Sequence, residues 1–183
     1  MNGTHATVTI DIVLDRQNTR EILCALLHAI LFHRLFGTIR PQTFEVLDVT
    51  MPGVADPTME QLVEEKVETF WKGLENVALK RGEIAVTLSK KDQRKAWLGI
   101  TTYEEEVAWE QWIINAEIRQ PKSEKERQQF NQNLAATLSK SLRVMLSHTS
   151  SEQGRSAVPP ITNSDVSPFP LKISVRVGGA ELG

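Results

Sequence analysis

Residues 18–36, NTREILCALLHAILFHRLF, are the longest apolar-dense stretch of the chain and limit what the rest can fold into. Ile22, Leu23, Leu26, Leu27, Ile30, Leu31, Leu35 and Phe36 recur at helical spacing, with no Gly or Pro among them. Such a wide stripe predicts a helix contacted on more than one side, not one resting on a surface. Asn18 with Glu21 three residues on predicts a capping box, and Gly37 a left-handed stop. His28, His33 and Arg34 interrupt the apolar run, which is too short to cross a hydrocarbon layer of about 30 Å. A basic n-region and a small-residue cleavage pattern are both missing, so the segment is not read as a signal peptide. A buried core helix with no transmembrane segment is the expectation.

The other segments are ones that such a helix can gather around itself. Residues 7–14 alternate, with Val8, Ile10, Ile12 and Leu14 on one face, which predicts a half-buried strand. Residues 44–49 read as a short strand, and MPGVADP after it as a loop. Pro57 after Asp56 opens a second helix. Its stripe is Met59, Leu62, Val63, Val67, Phe70, Leu74, Val77 and Ala78, and Gly82 is its expected end. Two strands, 83–89 and 107–119, flank a polar tip containing the basic run 90–95, the stretch AWLGITTY and the triplet Glu104–Glu106. Ser123 and Glu126 form a second capping box. They open a third helix to about His148, with Phe130, Leu134, Leu138, Leu142, Met145 and Leu146 inward. Residues 149–168 are rich in Ser, Pro, Gly and Asn and are expected to be a mobile loop. Residues 171–177 close the chain as a strand needing a sheet edge. The order predicts an α+β fold, three helices on a mainly antiparallel sheet, in one domain of 183 residues.

Composition argues against several function classes. A net charge of −2 gives no electrostatic reason to expect nucleic acid. Lys90, Lys91, Arg94 and Lys95 with Trp97 and Tyr103 resemble a phosphate-and-stacking patch, but the acidic triplet stands next to them. Cys24 is the lone cysteine, so neither an intrachain disulfide nor a cysteine zinc site is available, and a reducing compartment is its natural setting. Cys24 and His28 share a helix face, yet a buried thiol and a hydrogen-bonded core histidine explain them better than a dyad or metal site. Phosphate-binding, nucleophile-elbow and zinc-protease motifs are missing. No cofactor, no metal and no enzymatic activity are expected. Trp97 lies between two strands without a core position from periodicity. It is read as a folded-back ring or as an exposed aromatic anchor for a partner.

ALLHAILFHR at 25–34, AWLGITTYEEEVAWEQW at 96–112 and PFPLKISV at 168–175 resemble the autophagy-related protein 101 family. The matches run from the first helix to the last strand. The resemblance implies a single HORMA-like domain over residues 1–183 with a C-terminal edge strand. It implies a cytoplasmic, non-enzymatic adaptor at the preautophagosomal structure, which pairs with and stabilises the HORMA domain of autophagy-related protein 13. Within the autophagy initiation kinase complex it would recruit downstream autophagy factors. The family's protruding Trp-Pro-Phe loop matches at Trp97, followed here by Leu98 and Gly99. Leu98, Ile100 and Tyr103 then complete the expected recruiting tip. Helical phase places Gln128, Gln132 and Arg143 on the polar face expected at the heterodimer interface. A peptide-entrapping HORMA switch of checkpoint type, or a small α+β enzyme resting on Cys24 and His28, are the alternatives.

Overall fold

The computed structural model describes residues 5–96, 99 and 101–183. Helix α1 (Thr19–Arg34) is the element the others surround. Ile22, Leu23, Leu26, Leu27 and Ile30 have no solvent-accessible surface, and each such side chain contributes roughly 1.5–3 kcal/mol by burial. Around α1 lie β1 (Ala6–Leu14), the hairpin β2 (Pro41–Val46) and β3 (Val49–Val54), and α2 (Pro57–Val77). The long strands β4 (Arg81–Lys95) and β5 (Thr102–Ile118), then α3 (Glu124–Ser150) and α4 (Glu152–Ser156), follow. Strands β6 (Leu171–Val177) and β7 (Ala180–Glu181) close the chain.

The main sheet has the order β1-β5-β4-β6-β7, and β2 pairs with β3 separately. Only β1 with β5 is parallel; the other pairs are antiparallel. Strand alternation turns Ile10, Ile12, Ile84, Val86, Trp112, Ile114, Ile173 and Val175 into one core shared with the helices. The opposite face carries Thr9, Asp11, Thr87, Gln111, Asn115 and Arg176. This is the expected α+β arrangement, with a mainly antiparallel sheet and a C-terminal edge strand.

Several local expectations are corrected. Residues 51–54 belong to β3 and are not loop. Leu47 and Asp48 both take left-handed φ, 50° and 62°, and fold β3 back on β2 in a two-residue turn. Pro52 is tolerated because this sheet is only two strands wide. Gly53 lets the Phe44 ring and His28 approach its backbone, where a Cβ would collide. Asn18 occupies the N-cap position of α1 with helical φ and ψ, so its side chain caps nothing. Asp15 instead accepts from the Gln17 and Asn18 N–H groups at 2.8 and 3.0 Å, and its carbonyl accepts from the Thr19 hydroxyl. Gly37 is not a left-handed stop. Leu35 ends α1 in extended conformation, and Gly37 gives room for the backbone of Asp165 and Val166. Asp56 caps α2 through the Met59 N–H as expected, but the stop is left-handed Ala78, while Gly82 lies within β4. Ser123 accepts from the Glu126 N–H at 3.2 Å. Leu146 is 60% exposed, because it lies about 100° around the helix from buried Met145. The segment 149–168, read as loop, contains the end of α3 and the short α4.

A buried ion pair ties the helices to β5. Arg34, at the last turn of α1, donates from Nε and Nη2 to both Glu110 oxygens at 2.6 and 2.7 Å. Its Nη2 also donates to the Gly154 carbonyl of α4 at 3.0 Å. Trp112 Nε1 donates to Glu110 at 2.8 Å, and His148 Nε2 of α3 stands 2.6 Å from the same carboxylate. The Arg34 guanidinium covers the Trp109 ring at 5.6 Å. A β-bulge, where Leu88 pairs with Glu110 and Ser89 with Ala108, lets consecutive Trp109 and Glu110 both reach Arg34. Burial alone raises the Glu110 carboxyl. Hydrogen bonds from Arg34, His148 and Trp112, with the Arg34 charge, outweigh burial and hold it below the ordinary carboxylate value of 4.5.

Glu110 therefore stabilises the fold above that value, and the contribution disappears as pH falls through its lower folded-state pKa. Glu110→Ala strands the buried Arg34 charge and should cost about 3–5 kcal/mol in urea denaturation at pH 7. The difference from the parent chain should shrink as denaturation is repeated at progressively lower pH below 4.5. A variant as stable as the parent at pH 7 contradicts the assignment.

Candidate functional site

Strands β4 and β5 outrun the rest of the sheet. The β6 ladder ends with Leu171 opposite Leu88, and the described β1 ladder begins opposite Glu110. Ser89 N–H still donates to the Pro170 carbonyl at 2.9 Å, but from Lys90↔Val107 to Lys95↔Thr102 the two strands pair only with each other among the described residues. At about 3.3 Å per residue this ribbon projects roughly 20 Å. Its tip closes through the Ala96 N–H donating to the Thr101 carbonyl at 2.8 Å and the Gly99 N–H donating to the Ala96 carbonyl at 2.7 Å. Gly99 has φ +67°, a left-handed conformation suited to glycine, in open space.

Both charge runs of the sequence fall on the ribbon, where they face each other. Arg94 Nε donates to Glu105 at 2.9 Å, Lys91 is 3.7 Å from Glu104, and Gln93 donates to Glu104 at 3.3 Å. Lys90 lies 3.2 Å from Asp92. Of the four cations that suggested phosphate contact, Lys90, Lys91 and Arg94 have carboxylate partners within the ribbon. Strands 83–89 and 107–119 of the sequence reading are thus extended at the tip by cross-strand charge pairing, which amphipathic alternation does not report.

Of the predicted recruiting residues, Trp97, Leu98 and Ile100 lie outside the described residues. Tyr103 pairs with Arg94 near the end of the ribbon and is 54% exposed. Gln128, Gln132 and Arg143 are all exposed on α3, a different element from the ribbon. Arg143 donates only weakly to the Ser139 carbonyl of its own helix, at 3.5 Å. The described residues among them thus lie on two elements, Tyr103 on β5 and the other three on α3.

The Cys24 and His28 pair is absorbed by the core. Burial, helped by the Glu64 charge, pushes the Cys24 thiol up to about 11, away from a reactive thiolate. His28 Nδ1 accepts from the Val54 N–H at 3.3 Å, and burial lowers its pKa. Among the described residues no group of three or more His, Cys, Asp or Glu side chains could hold a metal. No described helix is long and apolar enough to cross a membrane. Sequence reasoning missed the network at the ribbon root. Its signal was available as charged Arg34 and Glu110 inside otherwise apolar periodic runs.

The sequence profile described as Autophagy-related protein 101 matches residues 11–165, from β1 through the ribbon and α3 to the segment after α4. The chain belongs to this family. Autophagy-related protein 101 of Schizosaccharomyces pombe is 31% identical over 112 residues, covering 61% of this chain and 59% of that protein. The Arabidopsis thaliana protein of the same name is 33% identical over 105 residues, covering 56% of this chain and 47% of its own length. The chain thus spans about half the length of the curated relatives it matches.

The ribbon's pairing makes a local prediction. Lys91→Glu with Arg94→Glu puts a like charge directly opposite Glu106 and others diagonal to Glu104 and Glu105, where a cross-strand pair is worth roughly 0.2–1 kcal/mol. Amide exchange should accelerate in 89–107 while the global unfolding midpoint stays unchanged. Unaltered exchange there would show that the charges do not hold the ribbon.

Proposed function

We propose that this chain is a non-enzymatic adaptor of the autophagy initiation kinase complex. In this reading it adopts a HORMA-like domain, pairs with the HORMA domain of autophagy-related protein 13 and stabilises it. It then recruits downstream autophagy factors during autophagosome assembly, acting in the cytoplasm at the preautophagosomal structure. The observation that carries the reading is the ribbon itself. In a family member, a projecting two-stranded arm flanks the candidate aromatic stretch 97–100 in the sequence, and three of its four cations have carboxylate partners. In this reading that stretch offers its apolar residues to a partner.

Two surfaces divide the work. The ribbon tip, with Trp97, Leu98, Ile100 and Tyr103, is assigned to recruitment. The α3 face with Gln128, Gln132 and Arg143 is assigned to heterodimerisation. Trp is a frequent anchor because it adds large apolar area on a stiff side chain.

Size-exclusion chromatography with and without the partner HORMA domain tests the pairing. A stoichiometric complex is expected, since a standard interface of about 1,600 Å² holds at micromolar concentration. Unchanged elution refutes it. Trp97→Ala should leave this complex and the unfolding midpoint intact while abolishing co-purification of downstream factors from cells. Retained co-purification removes the recruiting role from the tip.

A further inference from the structure

The two edges of the main sheet are finished differently. On the β6 side the edge is covered. β7 pairs with Arg176 and Val177, and the Leu182 N–H and Gly183 carbonyl bond to Val175 at 2.8 Å. Lys172 and Arg176 also ion-pair there with Glu181. On the β1 side no further strand follows among the described residues, because β1 pairs only with β5. β1 is regular, without proline, lysine, arginine or bulge, and its one charged side chain, Asp11, is taken up by Asn115 of β5 at 2.9 Å, so little discourages this edge from pairing.

A groove runs beside this edge. Thr7, Val8 and Thr9 form one wall, and α3 between Ala136 and His148 the other. Its α3 wall combines small side chains, Ala136, Val144 and Ser147, with Lys140 and Arg143. Among the described residues no acidic side chain lines the groove. Among the described residues Lys140 and Arg143 have no carboxylate within 4.0 Å, whereas Lys90, Lys91 and Arg94 of the ribbon do. The α3 wall is about 18 Å long at 1.5 Å per residue, enough for a strand of about five residues.

We propose that β1 and α3 form a docking groove for an extended acidic segment of a partner protein. That segment adds as a strand to the outer edge of β1, and its carboxylates meet Lys140 and Arg143. Main-chain hydrogen bonds to β1 supply affinity, and the two cations select acidic side chains on the face toward α3. The groove is separate from the ribbon tip. It shares only Arg143 with the α3 face assigned to heterodimerisation, and it does not depend on that assignment.

The test uses the full chain and a fluorescein-labelled decapeptide alternating threonine and glutamate, followed by fluorescence anisotropy. Saturable binding is expected, with slowed amide exchange in β1 and none in β6. Three changes should each weaken it about tenfold or more, the scale of a lost charge-assisted hydrogen bond: lysine for glutamate in the peptide, N-methylation of alternate peptide amides, and Lys140→Glu with Arg143→Glu in the chain. Both substituted side chains are exposed, and an unchanged unfolding midpoint confirms that the variant is folded. No saturable binding, or binding indifferent to all three changes, overturns the proposal. The assay contains no other HORMA domain, so its result is distinct from that of the sizing experiment.

Discussion

One carboxylate, Glu110, organises this molecule. It stands where β5 leaves the sheet and becomes ribbon, fully buried, and it is held by groups from α1, α3 and its own strand. Arg34 extends the same network to α4 through the Gly154 carbonyl. Apolar side chains at both 34 and 110 could fill the same space with comparable or better stability, since desolvating two charges offsets much of their attraction. What an apolar side chain lacks is direction. The bidentate Arg34 contact, the indole N–H and the imidazole approach Glu110 along separate lines, and together they fix the helix ends relative to the ribbon root. The root is thus set by polar geometry, while α1 is held by apolar burial along its whole length.

The sequence carried the body of the fold well because periodicity and burial agree there. The alternation of Ile10, Ile12 and Leu14, and of Ile173, Val175 and Val177, matches the inner face of the sheet. The long apolar helix is buried on all sides, as its wide stripe required. Errors arose where a nonlocal contact decides the local geometry. Asp15 took over the capping that Asn18 suggested, because the chain enters α1 already in helical conformation. Pro52 and Gly53 read as breakers, yet the left-handed pair Leu47 and Asp48 and the Phe44 ring make that stretch a strand. Gly37 serves a close approach by Asp165 and Val166, a contact more than a hundred residues away that no window along the chain can contain.

The candidate surfaces were only half legible for a related reason. Trp97 stood out because periodicity gave it no inner position, and Gln128, Gln132 and Arg143 followed from helical phase alone. The two strands and the tip between them were legible, but not the reach of the strands into that tip, because it lies in pairs such as Arg94 with Glu105, eleven residues apart in the chain and adjacent across it. A charge run read along the chain looks like a solvated patch or a phosphate site. The same run facing its opposite across a hairpin is a closed electrostatic system.

That closure bears on how an arm of this length stays ordered. Two strands alone are marginal in water, and seldom persist without a third strand or a packed face. Here the ribbon has no third strand beyond Ser89 among the described residues, only its root from Lys90 to Asp92 and Glu106 borders the segment 159–170, and Glu104 to Glu106 are exposed. Order must be imposed from its ends and its rungs. At the base the bulge directs Trp109 into a small cluster with Leu88 and Phe169, beside the Glu110 network. Along the length each ion pair is weak singly, but the diagonal pairs Lys91 with Glu104 and Arg94 with Glu105 tie one strand to the other. At the tip Gly99 supplies the left-handed step that lets Ala96 and Thr101 close. The root therefore sets where the arm points and the rungs keep its two strands in step. A displaced Glu110 would redirect the tip even if every residue on the ribbon were unchanged.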